Sequence, residues 1–87
     1  GMYQARVRFD TVVEAKAFVS ICNDMDFKVE LIAQPYVIDA KSIMGLFSLD
    51  LSKPIELRAH CPEDGGEFAA RIRPYREAAA SEPGDNA

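Results

Sequence analysis

Three stretches of this chain alternate apolar and polar side chains with a period of two, and that pattern restricts the possible folds most. From Tyr3 to Phe9, Ala5, Val7 and Phe9 fall to one side while Gln4, Arg6 and Arg8 fall to the other. From Phe27 to Ala33, Phe27, Val29, Leu31 and Ala33 alternate with Lys28, Glu30 and Ile32. After Pro54, Ile55, Leu57, Ala59 and Cys61 alternate with Glu56, Arg58 and His60. Successive side chains of a strand point to opposite faces, so each stretch is expected to form a strand with one dry and one wet face. Gln34-Pro35 reads as a turn into a short further strand, Tyr36 to Ile38.

Between these strands the period changes. Ala15, Phe18, Val19 and Cys22 recur at three and four, the stripe of a helix facing a core. Asp10 or Thr11 can cap its start, and Asn23-Asp24 ends it. The lead-in Asp39-Ala40-Lys41-Ser42 opens a brief helix, Ile43 to Ser48. Pro62-Glu63-Asp64 signals a last helix with Phe68, Ile72 and Tyr75 on one face. Pro74 lacks an N–H and predicts a kink or an early stop there.

The order β-α-β-β-α-β-α predicts an α+β fold, an open-faced sandwich of a four-stranded antiparallel sheet with helices on one face. A length of 87 residues suits one domain, expected over residues 2–79, with 80–87 as a flexible polar tail. The open face would carry Arg6, Arg8, Lys28, Glu30, Glu56, Arg58 and His60. Opposite charges on neighbouring strands of a solvated face contribute a few tenths of a kcal/mol each.

Composition excludes several classes of function. Ten basic residues against 14 acidic ones, with a pI near 4.8, disfavour a broad nucleic-acid surface. The apolar runs are only a few residues long, so membrane insertion is not expected. Cys22 and Cys61 lack metal-ligand spacing and read as reduced, small core residues of a cytoplasmic protein. Neither a metal nor a cofactor is expected.

No catalytic constellation emerges. The one histidine, His60, alternates onto the polar face of a strand, away from its neighbour Cys61. The acid pairs Asp24 with Asp26 and Glu63 with Asp64 sit in turns, where carboxylates commonly cap. Gly65-Gly66 follows two acids that repel phosphate, so it marks an irregular helix start and not a nucleotide cradle. A non-enzymatic protein is the expectation.

The segment Lys41 to Leu49 is the informative one. So short a helix cannot bury every apolar side chain it carries. Leu46 and Leu49 can serve the core, which leaves Ile43, Met44 and Phe47 as an apolar patch of the kind that docks partners. Ser42 stands where the helix begins; its hydroxyl can cap, and a phosphate there would be favoured by the helix dipole.

The stretch Asp39-Ala40-Lys41-Ser42-Ile43-Met44-Gly45-Leu46-Phe47-Ser48-Leu49 closely resembles the second-helix region of HPr, the histidine-containing phosphocarrier of the bacterial sugar phosphotransferase system. The resemblance extends over residues 3–79 and is sharpest at Lys41–Gly45, followed by the strand Ile55–His60. It implies an open-faced sandwich of the same element order. It also implies that Ser42 matches a serine phosphorylated by a dedicated kinase, and that Ile43, Met44 and Phe47 match the patch that docks phosphotransferase enzymes and a transcriptional regulator. Lys41 precedes the serine as in the family and is expected to join Ile43, Met44 and Phe47 in the partner-binding patch.

HPr carries phosphate on a histidine in a Gly-x-His-x-Arg-Pro loop before its first helix. Here the corresponding stretch, Phe9 to Ala15, has no histidine, arginine or proline, and Thr11 or Val12 falls where the histidine would stand. Neither can carry a phosphoramidate, and Glu14 adds a charge that repels phosphate. The expectation is therefore a regulatory or protein-binding relative without histidine phosphotransfer, in the manner of the catabolite-repression paralogue of HPr. Its partners would be phosphotransferase enzymes, a serine kinase or a transcriptional regulator. The alternatives are a phosphocarrier with a non-standard acceptor, or a structural adaptor.

Overall fold

The computed structural model describes residues 1–77 of the chain. The tail expected at 80–87 lies outside the described residues. Four strands, β1 (Tyr3–Val7), β2 (Val29–Ala33), β3 (Tyr36–Asp39) and β4 (Ile55–Ala59), form one antiparallel sheet in the order β1-β4-β2-β3. Helices α1 (Val12–Asn23), α2 (Ile43–Phe47) and α3 (Gly66–Arg71) complete the expected open-faced sandwich.

The alternation in sequence translates directly into layers. Tyr3, Val7, Val29, Leu31, Ile55, Leu57 and Ala59 are buried on the sheet's inner face, and Ala15, Phe18, Val19 and Cys22 of α1 pack onto them with Leu46 and Phe68. Burying an aliphatic or aromatic side chain contributes about 1.5–3 kcal/mol, so this shared core dominates the stability. Two aromatic groups stiffen it. Phe9 lies 5.0 Å from Phe18 and 6.0 Å from Tyr75, while Phe68 meets Phe27 at 5.6 Å and Tyr3 at 6.2 Å, both edge to face.

The outer face carries the charges. Arg58 pairs with Glu56 at 2.9 Å, and Lys28 lies 3.5 Å from Glu30. His60 Nε2 stands 3.0 Å from Glu30 Oε1. Ile32 is the exception on this side. It pairs with Val37 on β3 and Glu56 on β4, outside the main core, yet it is only 7% exposed.

Several boundaries differ from the sequence pattern for local reasons. The first strand stops at Val7, because Arg8 N–H donates to Tyr75 O at 2.7 Å and leaves the β4 ladder. Phe27 precedes β2 and points its ring at Phe68. Cys61, expected to face inward, lies beyond the end of β4 and is half-buried. The last helix stops at Arg71, and a 3₁₀ turn, Arg73–Tyr75, accommodates Pro74 near its start.

Gly65 has no substitute at its position. Its φ is +75°, and a Cβ would stand 2.6 Å from Ala69 Cβ and 2.8 Å from the Tyr3 ring. Asp64 Oδ1 accepts Gly66 N–H at 3.0 Å, a local turn bond one residue before the Gly65 cap, which itself has no side chain to give.

Candidate functional site

Helix α2 is held to the rest of the protein from its beginning. Ser42 is its N-cap in extended conformation, and its Oγ accepts the Gly45 N–H at 3.0 Å. The lead-in is fastened to the end of α1. Asn23 Nδ2 donates to Lys41 O at 3.0 Å and to Val19 O at 2.9 Å, while Lys41 Nζ donates to Met25 O at 2.8 Å. Asp39 Oδ1 accepts Lys41 N–H at 2.8 Å and shapes the bend between β3 and α2.

A helix turns about 100° per residue, and that rotation orders the exposure of the four side chains of α2. Leu46 points into the core and is fully buried. Ile43 lies about 60° from it around the axis, Phe47 about 100° and Met44 about 160°. Accordingly Ile43 is half-buried against the core, Phe47 is 42% exposed and Met44 is 81% exposed. The apolar surface therefore consists of Met44 and Phe47, with Ile43 at its inner margin. Sequence spacing grouped the three as equals, but with so few turns the direction of the core separates them.

Lys41 adjoins this surface, but its ammonium is engaged by the Met25 carbonyl. It positions the start of α2 more than it offers a charge to a partner. Asn23, which carries the complementary tether, gave no signal in the sequence beyond standing at a helix end.

The start of α1 is chemically closed. Thr11 is the N-cap, and its Oγ1 accepts Glu14 N–H at 3.1 Å. Glu14 Oε1 reaches back to the Asp10 N–H at 3.0 Å, and Ala15 N–H donates to Thr11 O at 3.1 Å. The arrangement is close to a capping box, with a carboxylate on the positive end of the helix dipole. Val12 and Val13, which the sequence pattern did not single out as surface residues, are both exposed. Beside them a shallow cleft of about 220 Å³ is lined by Arg8, Asp10, Glu14, Tyr75, Arg76 and Glu77, among others. Three carboxylates against two guanidinium groups give this cleft no excess of positive charge for an anion.

His60 and the two cysteines offer no ready nucleophile. His60 takes Glu30 as its partner, not a serine or a cysteine. That hydrogen bond, with Lys28 nearby, holds the Glu30 carboxyl below its ordinary range. Burial pushes the Cys22 thiol up to about 12, and desolvation also raises Cys61, so neither is a ready thiolate. No group of three potential metal-ligating side chains occurs among the described residues. No helix among them is long and apolar enough to cross a membrane.

The sheet order and helix placement match a solved structure described as the phosphocarrier protein HPr from Bacillus anthracis str. Ames. The TM-score is 0.69, and the match covers 88% of this chain and 99% of that one at 24% sequence identity. The chain has the HPr fold. No protein-family model and no curated protein matches it. Within the HPr fold, Ser42 and the Met44–Phe47 surface occupy α2, and Thr11 and Val12 occupy the entrance of α1.

Proposed function

We propose that this protein is a regulatory, protein-binding module of the sugar phosphotransferase system that does not relay phosphate through a histidine. The observation that carries the reading is the exposed pair Met44 and Phe47 on a helix capped by Ser42. Large apolar side chains held out on a short, well-anchored helix form a small docking surface whose geometry needs no rearrangement.

The entrance of α1 supports the second half of the reading. In the sequence resemblance to HPr, Thr11 or Val12 falls about where the phosphorylated histidine would stand, and neither supplies a nitrogen. Glu14 already satisfies the Asp10 N–H, so a phosphoryl group would meet a carboxylate where it needs donors. His60 lies on the sheet's outer face and is paired with Glu30.

Ser42 is the candidate regulatory site. Its hydroxyl is committed to Gly45 N–H, and a phosphate oxygen could take over that acceptor role while adding charge at the helix start. The added charge would stand next to Met44 and Phe47 and would alter which partner they admit. Mass spectrometry after incubation with an HPr-specific serine kinase reads this directly, and an unmodified Ser42 removes the switch.

Incubation with the system's first enzyme and phosphoenolpyruvate tests the main reading. No acid-labile phosphate should appear on the protein, whereas stoichiometric labelling overturns the loss of phosphotransfer. Phe47→Glu should abolish capture of the partner while leaving the fold intact. A partner retained by that variant transfers the docking role to another surface.

A further inference from the structure

Three methionines and two cysteines hold all the sulfur in this chain, and the fold gives them very different access to solvent. Cys22 is fully buried, and Met25 packs against the core just beyond the end of α1. Cys61 and Met2 are each partly covered. Met44 is the open one, at 81% exposed.

The fold makes no use of the Met44 thioether. Leu46 anchors α2 in the core, and Met44 points about 160° away from it around the helix axis. The Ser42 cap and the bonds from Asn23 and Lys41 hold the helix without the Met44 side chain. The surface is another matter. Phe47, three residues on and 42% exposed, is a neighbour of Met44 on the outside of the helix.

A thioether in this place can change polarity while the sequence stays the same. The sulfur lone pair attacks one oxygen of a peroxide, the O–O bond breaks and an S–O bond forms. Sulfur gives up two electrons. The departing oxygen takes the proton of the transferred one and leaves as water or an alcohol. The product is a sulfoxide, a polar group on what was an apolar side chain.

We propose that Met44 is a redox modification site, whose oxidation by a peroxide reversibly closes the docking surface of α2 without unfolding the protein. The inference rests on the reading of Met44 and Phe47 as that surface. A partner that buries Met44 would, after oxidation, have to bury an S–O group. The side chains of Ile43 and Phe47 beside it carry no hydrogen-bond donor to compensate.

The other sulfurs are poorer targets. Thioethers do not ionise, so access alone ranks Met44 ahead of Met25 and Met2. Thiols react as thiolates, and burial pushes the Cys22 thiol up to about 12 and raises Cys61 as well.

Treatment of the full chain with hydrogen peroxide at about pH 6, where thiolates are scarce, tests the site by peptide mapping. Met44 should gain one oxygen before Met25 and Met2. A phenyl resin serves as the apolar probe, and the oxidised protein should elute from it earlier, with an unchanged urea midpoint. Sulfoxide reductases for both epimers, with dithiothreitol, should restore the original retention. Met44→Leu should stay retained and no longer shift with peroxide, while Met44→Gln should elute early before any treatment. Oxygen appearing first on Met25 or Met2 overturns the inference. So does a peroxide shift that persists in Met44→Leu, a midpoint that falls with Met44 alone oxidised, or a shift that the reductases leave in place.

Binding to the phosphotransferase system's first enzyme separates the switch from the docking reading. Oxidation of Met44 should weaken that binding about tenfold or more, the effect of burying one unpaired polar group. Binding retained by Phe47→Glu overturns the docking reading and the switch with it. Binding lost in Phe47→Glu yet equal for the reduced and the oxidised protein overturns the switch alone.

Discussion

The Ser42 hydroxyl accepts the Gly45 N–H at 3.0 Å, and this one bond closes the first turn of the helix that presents Met44 and Phe47. The cap is a property of the fold whether or not the serine is ever modified. Ser42→Ala should lower stability by about 1 kcal/mol, the usual cost of losing a serine cap. Ser42→Asp keeps an acceptor at the helix start and should lose less. Urea unfolding of the three proteins checks the order, and equal midpoints for alanine and wild type would show that the cap contributes nothing.

The tether between α1 and α2 makes a second prediction. Asn23 bridges Val19 O and Lys41 O, and the Lys41 ammonium bonds to Met25 O. Asn23→Ala and Lys41→Met should each destabilise by about 1 kcal/mol. The double variant should lose less than the sum, because both bonds hold the same segment. A double-mutant cycle by thermal unfolding measures that coupling, and strict additivity would mean the two bonds act independently.

Tyr3 is almost wholly buried, and its hydroxyl has no hydrogen-bond partner within the protein. A buried polar atom left unpaired costs free energy that the isosteric ring does not. Tyr3→Phe should therefore raise stability by about 1 kcal/mol while preserving the edge-to-face contact with Phe68. A fall in the unfolding midpoint would show that the hydroxyl is satisfied after all.

The hydrogen bond from His60, with help from Lys28, lowers the Glu30 pKa below its ordinary 4.5. A carboxyl depressed in the folded state adds stability that is fully present above its unfolded pKa. That contribution disappears as pH falls through the lower, folded value. Glu30→Gln should therefore be less stable than wild type at neutral pH, and the difference should shrink in acid below the carboxylate range. Unfolding midpoints measured down that range give the comparison; a difference independent of pH would assign Glu30 a packing role instead.

The period-two alternation of Val29, Leu31, Ile55, Leu57 and Ala59, and the helical spacing of Ala15, Phe18, Val19 and Cys22, determined the layers of this protein without further help. Side-chain direction along an isolated element follows from backbone geometry, so burial can be read locally. The caps were legible for the same reason, since Thr11 and Ser42 act within one turn of their own positions. What the sequence could not supply was anything set by distant neighbours. Ile43 was grouped with Met44 and Phe47 until the location of the core around α2 divided them. For Lys41 the sequence showed only its place before Ser42, and the bond from its ammonium to the Met25 carbonyl depends on where the end of α1 lies. Ile32 fell with Lys28 and Glu30 on one side of the alternation, and its burial depended on which strands flank β2. Residues 75–77 reach the β1 edge by aromatic packing, and no segment among the described residues does the same for β3, a contrast set by tertiary contacts between residues far apart in the chain.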